Sequence, residues 1–172
     1  CVLAGCLAAC LAAAAPSSAQ ALRAGAAKVD ISPRPSDLKI ATDSIRDPLY
    51  ARAIVVDDGR SCAVLVGVDG GAPDGLAGDI VARVTASTKC PAENVILAGT
   101  HSHSTMPGGG PGGDATTSQR WANAIVAAVE AARARLAPAR IGFATATVDL
   151  NVNRDNFNRK LEWRQEPNPD GT

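Results

Sequence analysis

His101 and His103 are the only histidines in the chain, two residues apart in Thr100-His101-Ser102-His103-Ser104. In an extended segment, residues i and i+2 share a face, so both imidazoles can reach one ion. The pair follows an apolar run, Asn94-Val95-Ile96-Leu97, and precedes a glycine-rich stretch from Pro107 to Asp114. A strand that ends in His-x-His and opens into a loop is one way to build a metal centre. Zinc fits this donor type, and a catalytic zinc takes about three protein ligands with one position open. Asp69 or Asp114 could add a carboxylate; otherwise the missing ligands are expected beyond Thr172. The opposing reading is that both histidines are structural, and residue types alone leave the two readings open. Ser-His-Asp chemistry fits less well, because no Gly-x-Ser-x-Gly elbow is present. The glycine-rich stretch lacks Gly-Lys-Ser/Thr, so it reads as a loop or lid and not as a phosphate cradle.

The pair must be positioned by the elements around it. Alternating and continuous apolar runs predict strands over 22–31, 50–56, 61–68 and 94–98, and a last strand over 139–150. Asp57-Asp58-Gly59-Arg60 reads as a hairpin turn between the second and third strands. Leu76, Ile80, Val81 and Val84 recur at helical spacing, which predicts a helix from an Asp74 cap to about 88. A longer helix is expected from about 117 to 136. Its packing stripe is Trp121, Ile125, Ala128, Val129, Ala132 and Leu136. Strand, helix, strand implies a parallel crossover, and such sheets bind ligands beyond the C-terminal strand ends. The expected fold is therefore α/β, a mixed sheet with flanking helices. Asp69 and the two histidines should share its C-terminal edge.

Composition supports one folded domain, with 46% hydrophobic residues and only 3% aromatic, so its core must be aliphatic. Lys plus Arg and Asp plus Glu number 17 each, and no basic run is visible, which argues against nucleic acid as partner. Residues 1–21 read as a secretory signal peptide. An apolar tract to Ala15 is broken by Pro16-Ser17-Ser18, and Ala19-Gln20-Ala21 supplies a small-x-small cleavage site. The tract is short of the about 20 apolar residues that span a bilayer. Leu3-Ala4-Gly5-Cys6 also resembles a lipoprotein signal, so export to the periplasm or medium is the shared expectation, with lipid anchoring as a variant. Cys62 and Cys90 remain after cleavage. They are read first as two small buried apolar residues and second as a disulfide.

Five segments, in order, resemble the N-terminal part of the neutral (non-lysosomal) ceramidase family. They are Gly25-Ala26-Ala27-Lys28-Val29-Asp30-Ile31-Ser32-Pro33, Leu49-Tyr50-Ala51-Arg52-Ala53, Val68-Asp69, the run from Glu93 to Ser104, and Asn151-Val152-Asn153-Arg154. After Ser104 the chain inserts Thr105-Met106 before Pro107-Gly108-Gly109, where the family usually goes directly into Gly-Pro-Gly-Gly.

The resemblance implies a zinc-dependent amidase that cleaves the N-acyl bond of ceramide or a related lipid amide. The products would be a fatty acid and a sphingoid base. It implies His101 as a zinc ligand and His103 at the metal, as a ligand or as a proton-transfer or substrate-contacting group. Arg154 would face the substrate or the developing oxyanion. The implied partners are the lipid amide and, transiently, a membrane surface. The family's later histidine, glutamate, tyrosine and serine motifs have no counterpart here. Residues 22–172 are thus expected to be the N-terminal part of a truncated catalytic domain, weak in zinc binding and inactive alone. Two alternatives stand beside this: hydrolysis of another amide on the same scaffold, and a non-catalytic exported binding domain.

Overall fold

A computed structural model describes residues 21–38, 42, 44–71, 75–102, 105, 115–148, 155–157 and 163–165. The chain divides into two compact units, Cys1–Arg140 and Ile141–Thr172.

The first unit holds a five-stranded mixed sheet of order β4-β3-β2-β1-β5. Its strands are β1 (Arg23–Asp30), β2 (Tyr50–Asp57), β3 (Cys62–Val68), β4 (Val95–Gly99) and β5 (Ala137–Pro138). β1, β2 and β3 form an antiparallel meander, and β4 joins β3 in parallel, with Val64 beside Val95 and Val68 beside Gly99. The parallel step follows from its connection. α1 (Ala77–Thr88) carries the chain back across the sheet between β3 and β4. α2 (Ala115–Arg133) then packs over β1 and β2 and against α1. The α/β architecture is the one expected from the strand and helix patterns.

Strand alternation decides which face is buried. Ala51, Ala53 and Val55 of β2 and Val64, Val66 and Val68 of β3 point into one aliphatic core. That core is completed by Ile80 and Val84 of α1 and by Trp121, Ile125, Ala128, Val129 and Ala132 of α2. The opposite face leaves Ile54, Leu65 and Ile96 exposed in one cross-strand row. Gly25 is required by packing rather than by a turn. A side chain there would run into the carbonyl oxygen of Ala132 and come within 3.0 Å of the Leu136 nitrogen, so α2 could not lie this close to β1.

Several polar residues act as latches. Hydrogen bonds from the Ser32 hydroxyl and N–H hold the Asp30 carboxyl below the usual aspartate range. The Ser32 hydroxyl also accepts from Leu49 N (2.9 Å), and Ile31 N donates to Leu49 O (2.8 Å). Together they fasten the exit of β1 to the entry of β2. In the β2–β3 hairpin, Asp58 Oδ1 accepts from the N–H groups of Arg60 (2.9 Å) and Ser61 (2.7 Å), and Gly59 supplies φ +79°. Asn94 Nδ2 donates to Cys62 O (2.9 Å) and fixes β4 beside β3. α1 ends at Lys89, a left-handed cap (φ +63°) whose N–H reaches Thr85 O. Arg133 of α2 bonds the Thr88 carbonyl at the same helix end.

Three expectations need correction or restriction. Cys62 and Cys90 are not two independent apolar fillers: they form a disulfide, with Cα atoms 5.4 Å apart. The crossover brings the start of β3 beside the end of α1, a proximity that a spacing of 28 residues does not reveal. The strand expected over 139–150 does not form among its described residues, 139–148, and a two-residue strand, Ala137–Pro138, precedes that range. In the antiparallel register Pro138 already faces Arg23, the first residue of β1, and a period-2 pattern becomes a strand only where a partner edge supplies bonds. Asp74, the expected cap of α1, lies outside the described residues, and α1 begins after Leu76 without a side-chain cap.

Among the described residues of the second unit, β6 (Asp155–Phe157) and β7 (Trp163–Gln165) pair antiparallel, with Phe157 and Trp163 in register. Among the described residues, no helix is long and apolar enough to cross a membrane.

Candidate metal-binding edge of the sheet

The parallel strands β3 and β4 end side by side, and their exits are tied together residue by residue. Thr100 N donates to Val68 O (2.9 Å), His101 N donates to Gly70 O (2.9 Å), and Gly70 N donates to Thr100 Oγ1 (3.0 Å). The geometry puts His101, which is exposed, at the C-terminal edge where the sheet topology predicts a ligand site. Its backbone is left-handed, φ +59°. Gly70 is also left-handed (φ +95°) and buried. A methyl group on it would collide with Thr105 Oγ1 and approach the Trp121 ring to 3.6 Å. Thr105 Oγ1 in turn donates to Ser102 O (2.8 Å), closing a turn after His101.

Asp69 reaches the same edge but is engaged elsewhere. Its Oδ2 accepts from Tyr50 N (2.9 Å) and from Arg52 Nη1 (2.6 Å), and its own N–H donates to Tyr50 O (3.0 Å). Lys28 and Arg52 both lie over the Tyr50 ring, at 4.1 and 5.0 Å from its centroid. Asp69 therefore clasps β3 to β2 through Oδ2. His103 and Arg154, together with Ser104 and Asp114, lie outside the described residues.

Zinc can be tested against this donor set. An exposed imidazole at a parallel strand end suits a zinc ligand in type and place. Among the described residues, no group of three His, Cys, Asp or Glu side chains could hold a metal ion. The described edge thus fits zinc as the contributor of one ligand, His101, and not as a closed coordination shell.

Sequence reasoning passed over Gly70, Thr105 and the inner side of Trp121 at this edge. Gly70 was legible only as part of a loop, and Trp121 only as a packing residue. The one available signal was the Gly70-Gly71 pair directly after an apolar strand, where a positive φ is easiest to place.

Fold and site together describe an α/β sheet with an exposed histidine just beyond the end of a parallel strand. Among solved structures, the chain is similar to neutral ceramidase from Pseudomonas aeruginosa, with 29% identity, a TM-score of 0.54 and 69% of this chain covered. A structure described as ceramidase complexed with C2 matches to the same extent, with a TM-score of 0.55. The chain spans 22% of the length of each of these relatives. It contains a neutral ceramidase-like region that corresponds to part of those chains. No protein-family model matches the chain, and no curated protein matches it.

Proposed function

We propose that this chain contributes the His101 edge to a zinc-dependent amidase that hydrolyses the N-acyl bond of ceramide or a related lipid amide. The observation that carries the reading is the 29% identity to neutral ceramidase over 69% of this chain. His101 and His103 would hold the metal, with His103 also placed to pass a proton or touch the substrate. Zinc, when bound, supplies Lewis acidity at an amide carbonyl and a water nucleophile at neutral pH. Arg154 would stabilise negative charge developing on the carbonyl oxygen. The substrate class adds a transient encounter with a lipid surface. Export to an oxidising compartment completes the reading, and the Cys62–Cys90 disulfide supports it.

Metal removal tests the proposal in the natural polypeptide that carries this chain. Dialysis against a strong chelator is expected to abolish hydrolysis of an N-acyl sphingosine, and added zinc, but not magnesium, to restore it. Hydrolysis that persists after complete metal removal contradicts the metal mechanism. Turnover of simple amides with no turnover of N-acyl sphingosine moves the substrate to another amide class.

A further inference from the structure

Two non-glycine residues among those described have positive φ, Lys89 and His101. Lys89 is accounted for by its place as the cap that ends α1. His101 caps no helix, and its left-handed backbone follows directly from a strand, where the extended conformation would cost nothing. A strained residue of this kind persists only where its surroundings over-determine it. The surroundings include three bonds between the exits of β3 and β4, of which Gly70 N–H to Thr100 Oγ1 uses a side chain. The other two, Thr100 N to Val68 O and His101 N to Gly70 O, are backbone bonds and so independent of residue type. Gly70 is held from behind as well, because Thr105 and Trp121 fill the space beside it.

We propose that Thr100 is a positioning residue for His101. Its hydroxyl anchors the Gly70 N–H, the anchored Gly70 presents its carbonyl to His101 N–H, and the imidazole is thereby carried on a fixed left-handed backbone. The inference rests on the reading of His101 as a zinc ligand and adds the residue that prepares it. Residues that orient a metal ligand change metal affinity by about 10- to 100-fold when replaced.

The 172-residue chain contains no imidazoles besides His101 and His103, so both rings can be followed by NMR during titration with zinc ion alone. Thr100→Val removes the hydroxyl while keeping the branched shape; Thr100→Ser keeps the hydroxyl. The three-bond coupling between the His101 amide and α protons reports its backbone conformation without any metal. In Thr100→Val, this coupling is expected to lose its left-handed value and the zinc dissociation constant at His101 to rise about tenfold or more. Thr100→Ser is expected to retain both. If zinc moves the His101 ring signals while Thr100→Val keeps the parent coupling and affinity, the positioning role alone is wrong. If zinc leaves the His101 ring signals of the parent unmoved even at concentrations that saturate a weak single-imidazole site, the zinc reading falls and the positioning role falls with it.

Discussion

Replacing His101 by alanine is expected to lower N-acyl sphingosine hydrolysis by the natural polypeptide at least about a thousandfold, with loss of bound zinc. The size follows from what a metal supplies. Lewis-acid stabilisation of the transition state is worth several kcal/mol, and each 1.36 kcal/mol is tenfold in rate. The fold should survive, because His101 is exposed and sits outside the aliphatic core between the sheet and its helices. Circular dichroism and thermal melting should therefore match the parent while zinc content and turnover collapse. A variant that keeps its zinc and turns over within twofold of the parent would show that His101 is not a ligand. Asp69 offers a contrast at the same edge. It bridges Tyr50 and Arg52, so its replacement should act through the β2–β3 clasp rather than through metal loss.

Breaking the Cys62–Cys90 disulfide, by the double change Cys62→Ser and Cys90→Ser, is expected to cost about 3 kcal/mol of stability. A loop of 28 residues is closed by the bond, and restricting such a loop in the unfolded chain is worth roughly 2–4 kcal/mol. Cys90 is fully buried, so the serine left there also loses apolar packing. For a domain of this size the melting temperature should fall on the order of 10 °C. The bond anchors the start of β3, and the other end of that strand carries Gly70 and the His101 clamp. Stability and site geometry are thus linked through one strand. Thermal melts of parent and variant, and of the parent with and without reductant, check the expectation. A change below 2 °C in both comparisons contradicts it.

The sheet was largely legible because its strands are apolar and bounded by clear turn signals. Asp57-Asp58-Gly59-Arg60 forms the expected hairpin turn, and the β3–α1–β4 order gives the expected parallel step. The packing stripe of α2 was readable from Trp121 to Ala132 because helical spacing fixes which residues share a face. Long-range facts were not readable. The Cys62–Cys90 bond depends on where the crossover sets α1 down, and the end of β5 depends on where β1 begins. The site shows the same division. His101 was singled out from its type and spacing. The bonds that hold it come from Gly70 and Thr100, thirty positions apart, and only the parallel register brings them together.

The fold also separates residues of the family-like segments into those that fasten the sheet and one exposed at its edge. Gly25 makes room for α2, Asp30 and Ser32 fasten β1 to β2, and Asn94 fixes β4 beside β3. These are latches of the sheet, each satisfied within it. His101 is exposed at the sheet edge, on a backbone held by the bonds between the exits of β3 and β4.

The most direct test of the account is anomalous diffraction at the zinc edge from crystals of the natural polypeptide. The account predicts a zinc peak about 2.0–2.1 Å from an imidazole nitrogen of His101, at the C-terminal edge of β3 and β4. A zinc site elsewhere in the molecule, with His101 making no contact to it, would contradict the account.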